Sequence, residues 1–228
     1  MKTKEKIRDG VAKIAAESQD IKNDIITFVE VEFKKTIELK VQTSEIIKEV
    51  TKDTLDGIYE GVDEVKNKSK ELADRLVESG VKIEDVMKKS AEAMVRVTKQ
   101  EAENAFAASK EAAGRAKNVF EVALSKVKFS IDNVEDEAKD QMEFALSNLN
   151  ETREEAKSKL KDVSDALKDY ADEKKDETSA AIRKTAEKSK EAVTDLMNSA
   201  KTYSKKMTSH SLSKVSDWLK NLSNKINS

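Results

Sequence analysis

The chain contains no cysteine and no proline, a single histidine, His210, and only five glycines in 228 residues. Without Cys there is no disulfide frame, no thiol nucleophile and no thiolate metal ligand. One His excludes a two-histidine metal site within one chain. The few glycines form neither a GxGxxG nor a GxxxxGK pattern, so no phosphate-cradling loop is expected. Aromatics are equally scarce, with six Phe, three Tyr and one Trp. Such an inventory, rich in Ala at apolar positions, suits a narrow seam better than a thick core. No apolar stretch approaches the ~20 residues needed to span a bilayer. The opening Met1-Lys-Thr-Lys-Glu-Lys carries positive charge but no following apolar block, so it does not read as a signal peptide. Together these features lead us to expect a cytoplasmic protein without cofactor, metal or enzymatic activity.

What is abundant is charge. Asp, Glu, Lys and Arg make up 39% of the residues, against roughly 25% in an ordinary domain. The signs nearly cancel, at 43 basic against 45 acidic residues, so no bulk attraction to nucleic acid is expected. Only six of the basic residues are Arg, the usual fork for phosphates and base edges. Two local imbalances stand out. Residues 132 to 150 hold six acids against Lys139, and residues 199 to 228 hold six Lys against Asp217.

Ala, Lys, Glu, Leu and Met favour helix, and no proline interrupts them. The apolar positions then have a period. Stepping by eleven from Phe28 gives Leu39, Val50, Gly61, Leu72, Ile83, Met94, Ala105, Ala116, Val127 and Ala138. The series continues with Leu149, Leu160, Ala171, Ile182, Val193, Ser204, Val215 and Ile226. Only Gly61 and Ser204 depart from apolar character. Companion rows lie four and seven residues further on, including Val65, Leu76 and Met87, and Ala145, Ala156 and Leu167. Eleven residues in three turns is 3.67 per turn, close to the relaxed helix, so the stripe stays nearly straight. Between Leu55 and Val97 a heptad fits about as well.

The predicted fold is therefore all-α, built from very long amphipathic helices. Two arrangements fit: an extended coiled coil, or a long antiparallel helical hairpin bundle. One continuous helix would measure roughly 340 Å. Residues 1–20 form a helical N-terminal segment, 21–207 a long amphipathic region, and 208–228 a basic amphipathic C-terminal helix. Three places suggest turns. Ser79-Gly80 reads as a helix C-cap, Asn148 to Thr152 pairs turn-prone Asn with a Thr152/Glu155 capping box, and Thr208 to Ser213 is rich in hydroxyls. Residues 25 to 41 alternate as a strand would, yet Ile26, Val29, Phe33 and Ile37 also fit a helix. Helix is expected there.

Two regions carry a functional expectation. The first is the apolar stripe, marked by Phe28, Leu39, Val50, Leu72, Ile83 and Met94, then Val127, Leu149, Leu160, Ile182, Val193, Val215 and Ile226. It buries either against a partner helix or against an apolar surface. The second is the C-terminal segment. Val215, Trp218, Leu219, Leu222 and Ile226 lie to one side, with Lys214, Lys220 and Lys225 towards the other. Lys bordering an apolar face with a Trp suits a membrane or partner anchor, or a terminal helix docked on the bundle. Paired acids such as Glu154/Glu155 sit among alternating charges and read as solvated helix faces carrying i,i+4 pairs such as Glu155 with Lys159. His210, between Ser209 and Ser211, reads as an exposed turn residue.

The eleven-residue apolar/Lys/Glu pattern is most evident from Ala112 to Ala200, in stretches such as Glu111-Ala-Ala-Gly-Arg-Ala-Lys, Glu155-Ala-Lys-Ser-Lys-Leu-Lys and Glu187-Lys-Ser-Lys-Glu-Ala-Val. It resembles the group 3 late-embryogenesis-abundant proteins and the exchangeable apolipoproteins, and more loosely the phasins of polyester granules. The resemblance covers about half the chain. It implies an amphipathic helix that coats or protects membranes, apolar particles or other proteins. Residues 21 to 97 carry more large aliphatics than the desiccation proteins do, which favours a folded rod or bundle there. The expected function is non-enzymatic coating or protection, peripheral to a membrane or particle. The alternative is a coiled-coil scaffold or filament subunit. Self-association or a lipid surface is the expected partner, with no nucleic acid and no small-molecule substrate.

Overall fold

The computed structural model describes residues 3–39, 43–68, 70–126, 131–174 and 177–226. Among them the chain is all-α, without a strand. The helices are α1 (Thr3–Glu17), α2 (Ile21–Leu39), α3 (Ser44–Lys68), α4 (Lys70–Glu78), α5 (Ile83–Lys126), α6 (Ile131–Lys174) and α7 (Glu177–Ile226). They fall into two compact units. The first comprises residues 1–101 and 158–193, the second residues 102–157 and 194–228.

Local chemistry sets the helix ends. Asp20 starts α2, its Oδ1 accepting from the backbone N–H of Asn23 (3.4 Å), and Ser18 Oγ accepts from the N–H of Asp20 (2.9 Å). Thr43 Oγ1 accepts from the N–H of Ile46 (3.4 Å) at the start of α3, an N-cap in the usual sense. The expected turn at Ser79-Gly80 is present. Gly80 has φ +62°, its N–H reaches the carbonyl of Val77 (3.0 Å), and the N–H of Val81 reaches that of Leu76 (3.1 Å). This 6→1 and 5→2 pair is a Schellman motif, in which glycine is the residue that tolerates the left-handed position.

Two expected turns are absent. Asn148 to Thr152 lies inside α6, because the Thr152 hydroxyl bonds back to the carbonyl of Asn148 (2.8 Å) instead of capping a new helix. Thr208 to Ser213 lies inside α7. There Thr208 Oγ1 donates to the Ser204 carbonyl (3.0 Å) and Ser209 Oγ to that of Lys206 (3.2 Å). Hydroxyls that satisfy themselves on the preceding turn leave a helix intact. His210 is accordingly a helical residue, not a turn residue.

The first unit has a contiguous core fed by all seven helices, larger than the narrow seam inferred from composition. On α2 the conflict between strand and helix resolves as a row of fourth residues: Ile21, Ile25, Val29, Phe33 and Ile37 are buried while Val31 is exposed. This row meets Ile7 and Val11 of α1, Leu55, Ile58 and Val62 of α3, Met87 and Met94 of α5, and Leu167 and Ile182 further on. Opposite charges flank the seams and fix parallel pairings. Lys4–Glu60 (2.6 Å) and Arg8–Glu64 (3.6 Å) join α1 to α3, and Lys22–Asp85 (3.2 Å) and Arg96–Glu30 (2.6 Å) join α2 to α5. Lys52–Glu173 (2.6 Å) joins α3 to α6. Exposed pairs of this kind contribute below about 1 kcal/mol each, so they select register more than they stabilise.

The eleven-residue rhythm is realised most cleanly on α6, where Ala145, Ala156 and Leu167 are buried, as are Leu149, Leu160 and Ala171. On α5 the row drifts. Ala91, Ala102 and Ala113 are buried, whereas Ala105 of the original series is exposed. Among the described residues the second unit buries Ala102, Ala113, Ala145, Ala156 and Ala200, with Leu149 and Met207.

Candidate functional site

The stripe residues separate between the units. Val50, Met94, Leu160 and Ile182 are buried in the first unit and Leu149 in the second. Phe28, Leu72, Ile83 and Val193 are half-buried. Val127 and the side chains of Leu39, Val215 and Ile226 lie outside those described. Of the expected C-terminal anchor, the backbone belongs to α7 and Lys214 is exposed. The side chains of Trp218, Leu219, Lys220, Leu222 and Lys225 also lie outside those described. In the first unit, then, the stripe is consumed by the chain's own core.

Large apolar side chains are exposed in both units: Val31, Tyr59 and Val77 in the first, Val119, Val122 and Phe144 in the second. Val119 and Val122, one turn apart on α5, are 52% and 49% exposed, and Phe144 on α6 is 69% exposed. No helix among the described residues is long and apolar enough to cross a membrane.

The second unit holds an open groove of about 740 Å³. One wall is α5, with Glu111, Gly114, Arg115, Lys117 and Asn118; the other is α7, with Tyr203, Lys206, Met207, Ser209 and His210. On α7 the wall follows from spacing, since steps of three and four residues place Tyr203, Lys206, Met207 and His210 on one face. On α5 a Cβ added to Gly114 would meet nothing within 4 Å, so the groove is open at that point. Tyr203 is held from three sides. Its OH donates to the carbonyl of Lys110 (3.2 Å), the Lys110 ammonium lies 4.8 Å over its ring, and Phe106 meets it edge-on at 6.5 Å. Partial burial pushes the Tyr203 phenol above its usual range.

At one end, His210 Nε2 lies 2.8 Å from Glu121 Oε1. That hydrogen bond, aided by Lys117 and Lys214 and opposed by slight burial, holds the Glu121 carboxyl below its usual range. Ser209 and His210 do not form a nucleophile–base pair. The serine hydroxyl is directed at a backbone carbonyl and the imidazole at a carboxylate, whereas such catalysis needs the two side chains bonded to each other. Among the described residues no group of His, Asp and Glu is placed to hold a metal ion.

Neither Gly114, Tyr203 and Lys206 nor the exposed Val119, Val122 and Phe144 stand out in the sequence. The signal for the groove was present in the spacing of Tyr203, Lys206 and His210 and in a lone glycine opposite. Which helix face meets which neighbour is a tertiary matter that spacing does not supply. No family model matches the chain, no curated protein is similar to it, and no solved structure matches it.

Proposed function

We propose that this chain is a non-enzymatic amphipathic helical protein that covers apolar or lipid surfaces reversibly, with the second unit as the covering part. The observation that supports this reading is the exposure of Val119, Val122 and Phe144 in the second unit, with Val119 and Val122 one turn apart on α5. The first unit also exposes Val31, Tyr59 and Val77, but one on each of three helices, while its stripe residues Val50, Met94, Leu160 and Ile182 are buried. It supports the reading as the folded body from which the covering part extends in sequence.

Magnitudes limit the kind of contact. Burying a Val or Phe completely is worth roughly 1.5–3 kcal/mol. Three side chains already about half covered would add about 4 kcal/mol, which corresponds to a millimolar dissociation constant. Each Lys near an anionic surface adds about 1 kcal/mol, and Lys201, Lys205, Lys206 and Lys214 are exposed on α7. The expected binding is therefore peripheral, salt-sensitive and reversible.

Co-sedimentation with phosphatidylglycerol-containing vesicles tests this, with circular dichroism and sedimentation velocity alongside. The wild type should bind, and Val119→Ser with Val122→Ser and Phe144→Ser should weaken binding at least tenfold while leaving the first unit folded. Self-association through the same side chains, with no response to vesicles or oil droplets, would replace the coating reading by the scaffold one.

A further inference from the structure

We propose that the groove between α5 and α7 of the second unit binds an anionic group of the phosphate type, carried by a ligand with an apolar or planar part beside it. The inference stands apart from the coating reading, because it uses the groove and not the exposed Val and Phe side chains. Four cationic or protonatable side chains line the groove, Arg115, Lys117, Lys206 and His210, against one acid, Glu111. Several are already matched. Arg115 pairs with Glu111 (2.5 Å), and His210 (2.8 Å) and, more loosely, Lys117 (3.8 Å) pair with Glu121 at the end of the groove.

Lys206 has no carboxylate within ion-pair distance among the described residues. It lies exposed on the groove side of α7. A point charge of this kind, with the loosely held Lys117 across from it, fits an anion that offers several oxygens at once. Asn118 and Ser209 add neutral polar groups to the lining.

The rest of the groove argues for more than a bare ion. Its volume lies within the roughly 300–1,000 Å³ typical of small-ligand clefts. Tyr203 offers a half-buried ring and Met207 a buried thioether on the same wall. Gly114 leaves unfilled space opposite. Charge at Lys206, apolar surface at Tyr203 and Met207, and room at Gly114 describe an amphiphile's headgroup with the first part of its tail, or a soluble phosphate ester with a ring.

Amide chemical shifts of the full chain would be followed during titration with inorganic phosphate, with a short-chain phosphatidic acid below its micelle concentration, and with phosphatidic acid vesicles. Saturable shifts at Gly114, Tyr203 and Lys206 are expected with at least one probe. Inorganic phosphate alone sufficing assigns a soluble anion; a response only to the lipids assigns a headgroup. Lys206→Glu should weaken binding at least tenfold. Gly114→Leu should fill the groove and abolish binding with the helical dichroism unchanged, since nothing lies within 4 Å of a Cβ there. No saturable shift with any of the three probes, or wild-type binding in either variant, would overturn the assignment.

Discussion

Gly57 on α3 lies so close to α1 that a Cβ built on it would stand 2.8 Å from the Cβ of Ile7 and 2.7 Å from the carbonyl oxygen of Lys4. One turn on, Gly61 has the same relation to Val11 and to the carbonyl of Arg8. Gly61, which interrupts the eleven-residue series, is thus one of two glycines that let the backbones approach.

Gly57→Ala and Gly61→Ala should each destabilise the first unit. A methyl against a backbone carbonyl cannot be relieved by a rotamer change, and overpacking of this kind costs about 1–3 kcal/mol, partly offset by the ~1 kcal/mol helix preference of Ala over Gly. Gly114→Ala meets no neighbour and should raise stability by up to about 1 kcal/mol. Thermal unfolding of the three variants checks the contrast in sign.

Arg75 on α4 donates through its guanidinium to the carbonyls of Ala16 and Ser18. It closes the C-terminal end of α1, where the last carbonyls lack helical partners. Arg75→Ala should leave them unpaired beside the core, at a cost of about 1–3 kcal/mol. Hydrogen exchange should quicken around residues 14–20 more than elsewhere in the first unit.

Glu32 on α2 is nearly buried and meets Lys6 of α1 and Lys35 of its own helix. Burial alone would raise its carboxyl, but the hydrogen bonds and charges of the two lysines outweigh this and hold it below its usual range. A depressed carboxyl stabilises the fold above its unfolded-state value, and the benefit is lost as pH falls through the folded value. Glu32→Gln should lower stability by about 1 kcal/mol at neutral pH, since both lysines are half in solvent and screened. The gap to wild type should close as the pH is taken below the usual carboxylate range. A gap that persists there would assign the loss to packing.

The two units should also differ in local stability. Among the described residues, Leu149 is the only one of the largest wholly buried side chains in the second unit; Phe33, Ile7, Leu55, Met87, Met94 and Leu167 are among those of the first. Large buried aliphatics supply most of the stabilisation per residue. Amides in residues 102–126 and 194–210 should therefore exchange faster than those of α1 to α3, opening sub-globally before the first unit unfolds.

Much of this architecture is readable from residue type. Helix throughout follows from the absence of proline and the excess of Ala, Glu, Lys and Leu. The Schellman turn follows from Gly80, and the paired rows on α6 follow from the period at Ala145 and Leu149. Hydroxyl-rich stretches misled, because Thr152, Thr208 and Ser209 have two uses for one proton, a cap or a bond to the preceding turn, and sequence does not distinguish them. The bulk of the first core is hidden in the sequence for a related reason. Seven modest stripes add up only when tertiary packing brings Phe33, Leu55, Met94 and Leu167 to one place. The groove was invisible because Gly114 and Tyr203 are 89 positions apart and belong to different helices.

The first unit takes residues 1–101 and then residues 158–193, with part of the second unit encoded between them. A nascent chain on the ribosome therefore holds Ile25, Leu55 and Met94 in waiting until Leu167 and Ile182 have been translated. The order of synthesis makes residues 102–157 a delay line, and the first unit can close its core only after most of its neighbour has left the exit tunnel.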